Sequence, residues 1–278
     1  MTTVLLLRCA DQPGIVAAVG HTIASLGGNI IHADQHTDPV HGLFLQRVEA
    51  TFPPEADVRA AMDPVATDYG MTWSLHRDER RPRIAVLVSK QGHCLADLLS
   101  RVELGELDVD IALVAANHDD HRAMVERHEI PYHHVPVAAD RPDDQASALH
   151  RLVVDHDVDL LVLARYMRIL PDAFLTDFPH RIINIHHSFL PAFVGAKPYH
   201  QAYERGVKLI GATAHYATAE LDEGPIIHQD VTPVSHRHDV ADLVRLGADL
   251  ERTVLARAVR LHLEHRVLTY GNRTVVFD

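Results

Sequence analysis

The sequence predicts an α/β protein of two domains: an N-terminal ferredoxin-like α+β unit, then a doubly wound, mostly parallel sheet. Three observations lead there. The first 76 residues carry elements in the order β-α-β-β-α-β. A charged stretch, His76 to Arg83, interrupts the pattern. After it, apolar strand runs alternate with helical periods, the mark of a parallel sheet covered on both faces.

The elements follow in order. Val4–Cys9 reads as a strand, and Asp11-Gln12-Pro13-Gly14 as a turn and helix entry. Ile15, Val16, Val19, Ile23 and Leu26 recur at helical spacing, and Gly27-Gly28 stops the helix. Asn29–His36 and Leu43–Ala50 read as strands joined by a turn holding Pro39 and Gly42. Glu55–Tyr69 fits a helix that Pro64 bends or interrupts, and Met71–Leu75 a strand. In the second half, strands are expected at Ile84–Ser89, Val109–Ala116, Tyr132–Val137 and Leu160–Ala164. Helices are expected at Leu95–Arg101, His121–His128, Gln145–Asp155 and Asp242–His265. The expected domains are 1–76 and 84–278, with 77–83 as linker.

Composition bounds the function. The chain has 278 residues, 47% of them hydrophobic, enough to fill two cores. Against 38 acidic residues stand 26 basic ones, a net charge of −12 that argues against a nucleic-acid partner or an anionic membrane surface. No apolar run approaches the roughly 20 residues that span a bilayer, and Met1-Thr2-Thr3 has no basic region typical of a signal peptide. Cys9 and Cys94 sit in or beside apolar runs without a CxxC partner, so reduced, buried thiols and a cytoplasmic location are expected. The 23 histidines lack metal-ligand spacing with convergent carboxylates, so no catalytic metal is expected.

The most informative stretch is Ile182-Ile183-Asn184-Ile185-His186-His187-Ser188-Phe189-Leu190-Pro191. The β-branched run predicts a buried strand ending in polar residues. Asn184 and His186 are two apart and so project from one face. An amide and an imidazole side by side can hold a carbonyl oxygen and move a proton. Leu221-Asp222-Glu223-Gly224-Pro225-Ile226-Ile227 adds a carboxylate before a Gly-Pro turn. Asn184, His186 and Asp222 together suit acyl transfer or hydrolysis at the carboxyl ends of strands.

Two resemblances sharpen this. Asp11-Gln12-Pro13-Gly14-Ile15-Val16-Ala17, with Gly27-Gly28-Asn29-Ile30, looks like an ACT domain. Such domains pair and often bind amino acids. The resemblance implies Asp11, Gly14 and Asn29 as effector-binding candidates, glycine and methionine as effectors, and a homo-oligomer, dimer or tetramer. Asp11 and Asn29 suit turn and cap roles equally. Residues 84–278 resemble the folate-dependent formyltransferases, whose site shares an Asn, a His and an Asp; Asn184, His186 and Asp222 match them. Leu163-Ala164-Arg165-Tyr166-Met167-Arg168-Ile169-Leu170-Pro171 matches the family's folate-contacting loop, implying Tyr166, Met167, Arg168, Ile169 and Leu170 as folate-binding.

Within that family the chain is most similar to the deformylases. Ser89–Leu99, His186–Phe193, Lys197–Gly206 and Tyr270–Thr274 carry the likeness. The resemblance implies hydrolysis of 10-formyltetrahydrofolate, the substrate, to formate and tetrahydrofolate. No cofactor is permanently bound in this reading, and the formate serves purine synthesis and the one-carbon pool. Asn184 would donate to the formyl oxygen while His186 stabilises it and shuttles a proton. Asp222 would orient and deprotonate the water, or tune His186. His187 either positions water or fills space, and His215 is a support near the site or a structural histidine. Ser89-Lys90-Gln91-Gly92-His93 has one glycine where ribonucleotide transferases have a Gly-rich phosphate loop.

Overall fold

The computed structural model describes residues 2–77, 80–136, 142–192 and 198–278. Asp78 and Glu79 of the expected linker, Val137 of an expected strand, and Phe193 and Lys197 of the family stretches lie outside the described residues. The chain forms two compact units.

In the first unit, β1 (Thr2–Ala10), α1 (Ile15–Ser25), β2 (Asn29–Asp38), β3 (Leu43–Thr51), α2 (Val58–Tyr69) and β4 (Thr72–Arg77) realise the expected order. The sheet runs β2-β3-β1-β4 with antiparallel neighbours. Leu5, Leu7, Val19, Ile23, Val48 and Met62 form its core. Helix α2 starts three residues later than expected because Asp57 caps it, its carboxylate accepting from the Ala60 amide at 3.0 Å. Pro64 lies inside α2, which runs on to Tyr69.

The second unit holds β5 (Arg83–Val88), α3 (His93–Glu103), β6 (Asp110–Ala116), α4 (Arg122–Glu126), β7 (Tyr132–His134), α5 (Pro142–Asp155), β8 (Leu160–Ala164), α6 (Asp172–Asp177), β9 (Ile182–His186), α7 (Pro198–Arg205), β10 (Leu209–Tyr216), β11 (Ile226–Pro233) and α8 (Val240–Leu263). Its seven strands run β11-β10-β9-β8-β5-β6-β7. Strands β5 to β9 are mutually parallel, while β10 and β11 pair antiparallel at one edge. Chain order reverses between β5 and β8, the crevice where such sheets take ligands. The central strands are buried from Ile84 to Val88 and from Leu160 to Ala164, as their apolar runs require.

The chain end departs from the expected boundary. Strands β12 (Val267–Tyr270) and β13 (Arg273–Val276) form a hairpin, and Glu264–Tyr270 with Thr274–Asp278 group with the first unit, not with the second as the 84–278 expectation had it. Leu268 and Phe277 pack on Leu45, with Leu6 and Leu43 against them. Arg47 donates to the carbonyls of His265 and Glu264 at 3.0 and 3.2 Å. The physical reason is the outer sheet face: Leu6, Leu43 and Leu45 would meet water without this cover. Gly271–Arg273 groups with the second unit, where the Asn272 amide donates to the Glu223 carbonyl at 2.6 Å.

Candidate active site

Three loops of the second unit build the cleft: the turn after β8, the end of β9, and the segment between β10 and β11. The loop after β8 is fixed across the crevice, where the buried Ser89 hydroxyl accepts from the Met167 amide at 3.0 Å. Tyr166 and Leu170 turn into the core, while Met167 and Ile169 stand out at 55% and 74% exposure. All five expected folate residues line one cavity of about 390 Å³ with Asn184, His186, His187, His215 and Asp222. Burial pushes the Tyr166 phenol up to about 12, so it stays neutral.

Asn184 and His186 come from β9. Antiparallel pairing with β10 sets Asn184 opposite His215. The His215 Nδ1–H donates to the Tyr216 carbonyl at 2.9 Å, which leaves Nε2 to accept from the Asn184 amide at 3.2 Å. One N–H of Asn184 is thereby spent on orientation. His186 Nδ1 lies 3.2 Å from Asp222 Oδ2, with both side chains nearly buried. Donation from Nδ1 leaves His186 Nε2 as the lone-pair nitrogen, and that atom is buried without a partner among the described residues.

Asp222 stands at φ 59, a left-handed conformation uncommon outside glycine. The following turn needs Gly224, whose Cβ would sit 1.8 Å from the Tyr216 carbonyl oxygen. Burial alone pushes the Asp222 carboxyl up, but the imidazole of His186 outweighs it and holds it well below the usual carboxylate range. His215 Nε2 is 3.7 Å from Asp222 Oδ1, beyond hydrogen-bond reach. His187 is pulled down to about 4, first by burial and then by the Arg165 guanidinium, so it is neutral at pH 7.

A geometry of amide, imidazole and paired carboxylate beside an apolar wall fits acyl chemistry. The comparisons decide between chemistries. A formyl transferase family model matches residues 82–259, and an ACT domain model matches residues 3–62. The formyltetrahydrofolate deformylase of Synechocystis is 53% identical, over 100% of this chain and 99% of that relative. The chain belongs to the formyltetrahydrofolate deformylases. The family is one of hydrolases. A deformylase crystal structure from Pseudomonas syringae pv. tomato superposes with TM-score 0.97 at 51% identity, over 100% of this chain and 94% of that one. A glycinamide ribonucleotide transformylase from Symbiobacterium toebii reaches TM-score 0.68 at 36% identity, over 71% of this chain and 95% of that one.

For this deformylase family member, the cleft residues expected from the sequence converge, and the effector candidates do not. Asp11 lies at the Leu43 end of β3, bonded to the Gly42 carbonyl, with Gly14 three residues on at the start of α1, while Asn29 pairs with Thr51 at the other end of β3. Eight strand steps at about 3.3 Å set these ends roughly 26 Å apart. A single chain therefore does not gather the three into one site. Among the described residues, no helix is long and apolar enough to cross a membrane.

Sequence reasoning missed a buried polar cluster beside the cleft. Glu251, 1% exposed on α8, accepts from the Tyr199 hydroxyl at 2.6 Å and faces His93 Nε2 at 2.8 Å and Arg165 Nε at 3.4 Å. The signal was legible: Glu251 interrupts the apolar stripe of Gly247, Val254, Leu255 and Ala258. His93, Cys94 and Glu251 bring ligand-type atoms within 4.8 Å. The adjoining guanidinium and a thiol pushed far up by burial make this an ion-pair network, poorly suited to a cation. Leu221, 58% exposed on the cleft rim, was also unassigned.

Proposed function

We propose that the chain hydrolyses 10-formyltetrahydrofolate to formate and tetrahydrofolate at this cleft, with Asn184, His186 and Asp222 as its catalytic residues. The observation that carries the reading is His186, with Nδ1 paired to Asp222 and Nε2 buried and unpaired among the described residues. The pterin lies against Met167, Ile169 and the Tyr166–Leu170 backbone. His186 Nε2 takes a proton from water as its oxygen bonds to the formyl carbon. Asn184 donates to the oxygen that becomes negative. The imidazolium, held by Asp222, then protonates the folate nitrogen as the C–N bond breaks, and the formic acid so formed loses its proton to solvent as formate. Of the two roles weighed for Asp222, tuning His186 is favoured: a carboxylate held so far below its usual range is a poor base for water. His215 orients Asn184, and neutral His187 helps place the water.

The ACT unit supports regulation by small amino acids, glycine and methionine being the effectors to test. Because Asp11 and Gly14 stand far from Asn29 within one chain, a site using all three needs a second copy, in keeping with a dimer or tetramer. Formate release in the cytoplasm would then serve purine synthesis and the one-carbon balance.

The test is a formate assay on the purified chain with 10-formyltetrahydrofolate and no amine. Formate matching tetrahydrofolate one to one is expected. Release only after adding an amine acceptor makes the chain a transferase, and no release with any acceptor makes the folate unit a binding module. Titrating glycine and methionine into the same assay tests regulation; a flat response to both ends that part of the reading.

A further inference from the structure

Arg165 is a charged residue lining the cleft that hydrolysis, as described, leaves without a task. It follows β8 at φ 63, a backbone conformation costly for any side chain but glycine. Its side chain is 9% exposed, and its Nε and Nη1 are buried with no hydrogen-bond partner among the described residues. Its nearby carboxylate, Glu251, is 3.4 Å from Nε. Both Glu251 oxygens are already engaged, one by the Tyr199 hydroxyl and the other by His93. A strained backbone, a buried cation and unmet donors are each unfavourable, and all three fall on one cleft residue.

The cleft that Arg165 shares with Asn184, His186 and His187 is where a neutral formamide would become an anion. A guanidinium suits a small planar carboxylate, which it meets with two parallel N–H groups. We propose that Arg165 is the formate-binding residue of the site, holding the product carboxylate after the C–N bond breaks, with Glu251, Tyr199 and His93 fixing the guanidinium from behind. The inference rests on the hydrolytic reading above. Glu251 balances part of the cation's charge without occupying its free donors, so the site accepts a monoanion and releases it. The same positive charge disfavours a protonated amine near the reacting carbon, which biases the cleft towards water.

The experiment measures inhibition by added sodium formate at constant ionic strength, with sodium chloride as control, and line broadening of 13C-formate by the full chain. Wild type is expected to show saturable inhibition and broadening. Arg165→Met should weaken both at least tenfold, Arg165→Lys by less, while inhibition by tetrahydrofolate shifts under threefold. Arg165→Met leaves Glu251 with less compensation, so Arg165→Met/Glu251→Gln and Arg165→Lys guard against a variant that fails to fold. Wild type that hydrolyses substrate yet neither binds nor is inhibited by formate overturns the proposal. So does a folded Arg165→Met chain whose formate binding is unchanged. Wild type that broadens 13C-formate through Arg165 but releases none from substrate defeats the hydrolytic reading and leaves the anion site standing.

Discussion

His186 Nδ1 sits 3.2 Å from Asp222 Oδ2, and this pair sets which nitrogen of the imidazole faces the cleft. Two elements far apart in sequence make it: the last residue of β9 and a left-handed turn residue after β10. Asp222→Asn keeps the shape but can present its amide N–H to Nδ1, favouring the wrong tautomer. Turnover is expected to fall by about 10²–10⁴. Single-turnover formate release measures it, and a loss below tenfold would mean that Asp222 does not govern His186.

The same carboxyl predicts a pH dependence. Its folded value is depressed, so its stabilising contribution is complete above the unfolded value of about 3.9 and is lost as pH falls through the folded one. The unfolding free-energy gap between wild type and Asp222→Asn should be no smaller at pH 5 than at pH 7. Urea unfolding at the two pH values checks this, and a gap that shrinks over that interval contradicts the depressed carboxyl.

Asn184→Ala removes the donor proposed for the developing oxyanion. A loss of about 10²–10³ in turnover is expected, with tetrahydrofolate affinity within about threefold of wild type. Equal losses in rate and in folate affinity would instead assign Asn184 to ground-state binding.

Ser89→Ala leaves the Met167 amide without its acceptor across the crevice. A net hydrogen bond is worth about 1 kcal/mol, so KM should rise about fivefold while kcat stays within about twofold. A fall in kcat with unchanged KM would place the Ser89 contact in the chemistry and not in shaping the folate wall.

Gly224→Ala would drive a methyl group into the Tyr216 carbonyl oxygen. The turn that carries Asp222 must then move, at a cost of about 1–3 kcal/mol in urea unfolding, with turnover lowered alongside. Wild-type activity in this variant would show that the turn is more yielding than its packing indicates.

Much of this was legible in the chain. The βαββαβ order of the first unit follows from period and punctuation alone, because each strand and helix buries one face. The continuous apolar runs at β5 and β8 announce central parallel strands. Asn184 and His186, two apart at a strand end, already place an amide and an imidazole on one face. The terminal hairpin was not legible as part of the first unit. Its strands are four residues each, and their partners, the bare leucines of β1 and β3 with Arg8 and Asp38, lie more than 200 positions away in sequence.

The sequence by itself determined the element order, the family motifs and the residue types of the site, since local periodicity and short motifs are properties of neighbouring residues. Tertiary structure decided the pairings. The antiparallel register of β9 and β10 turned His215 into the anchor of Asn184, and the turn at Gly224 brought Asp222 to His186 rather than leaving it to water. It also joined Arg165 to Glu251, 86 positions apart, as residue numbers 165 and 251 give. Such pairings depend on strand register and helix rotation, which the whole packed unit fixes and no local stretch contains.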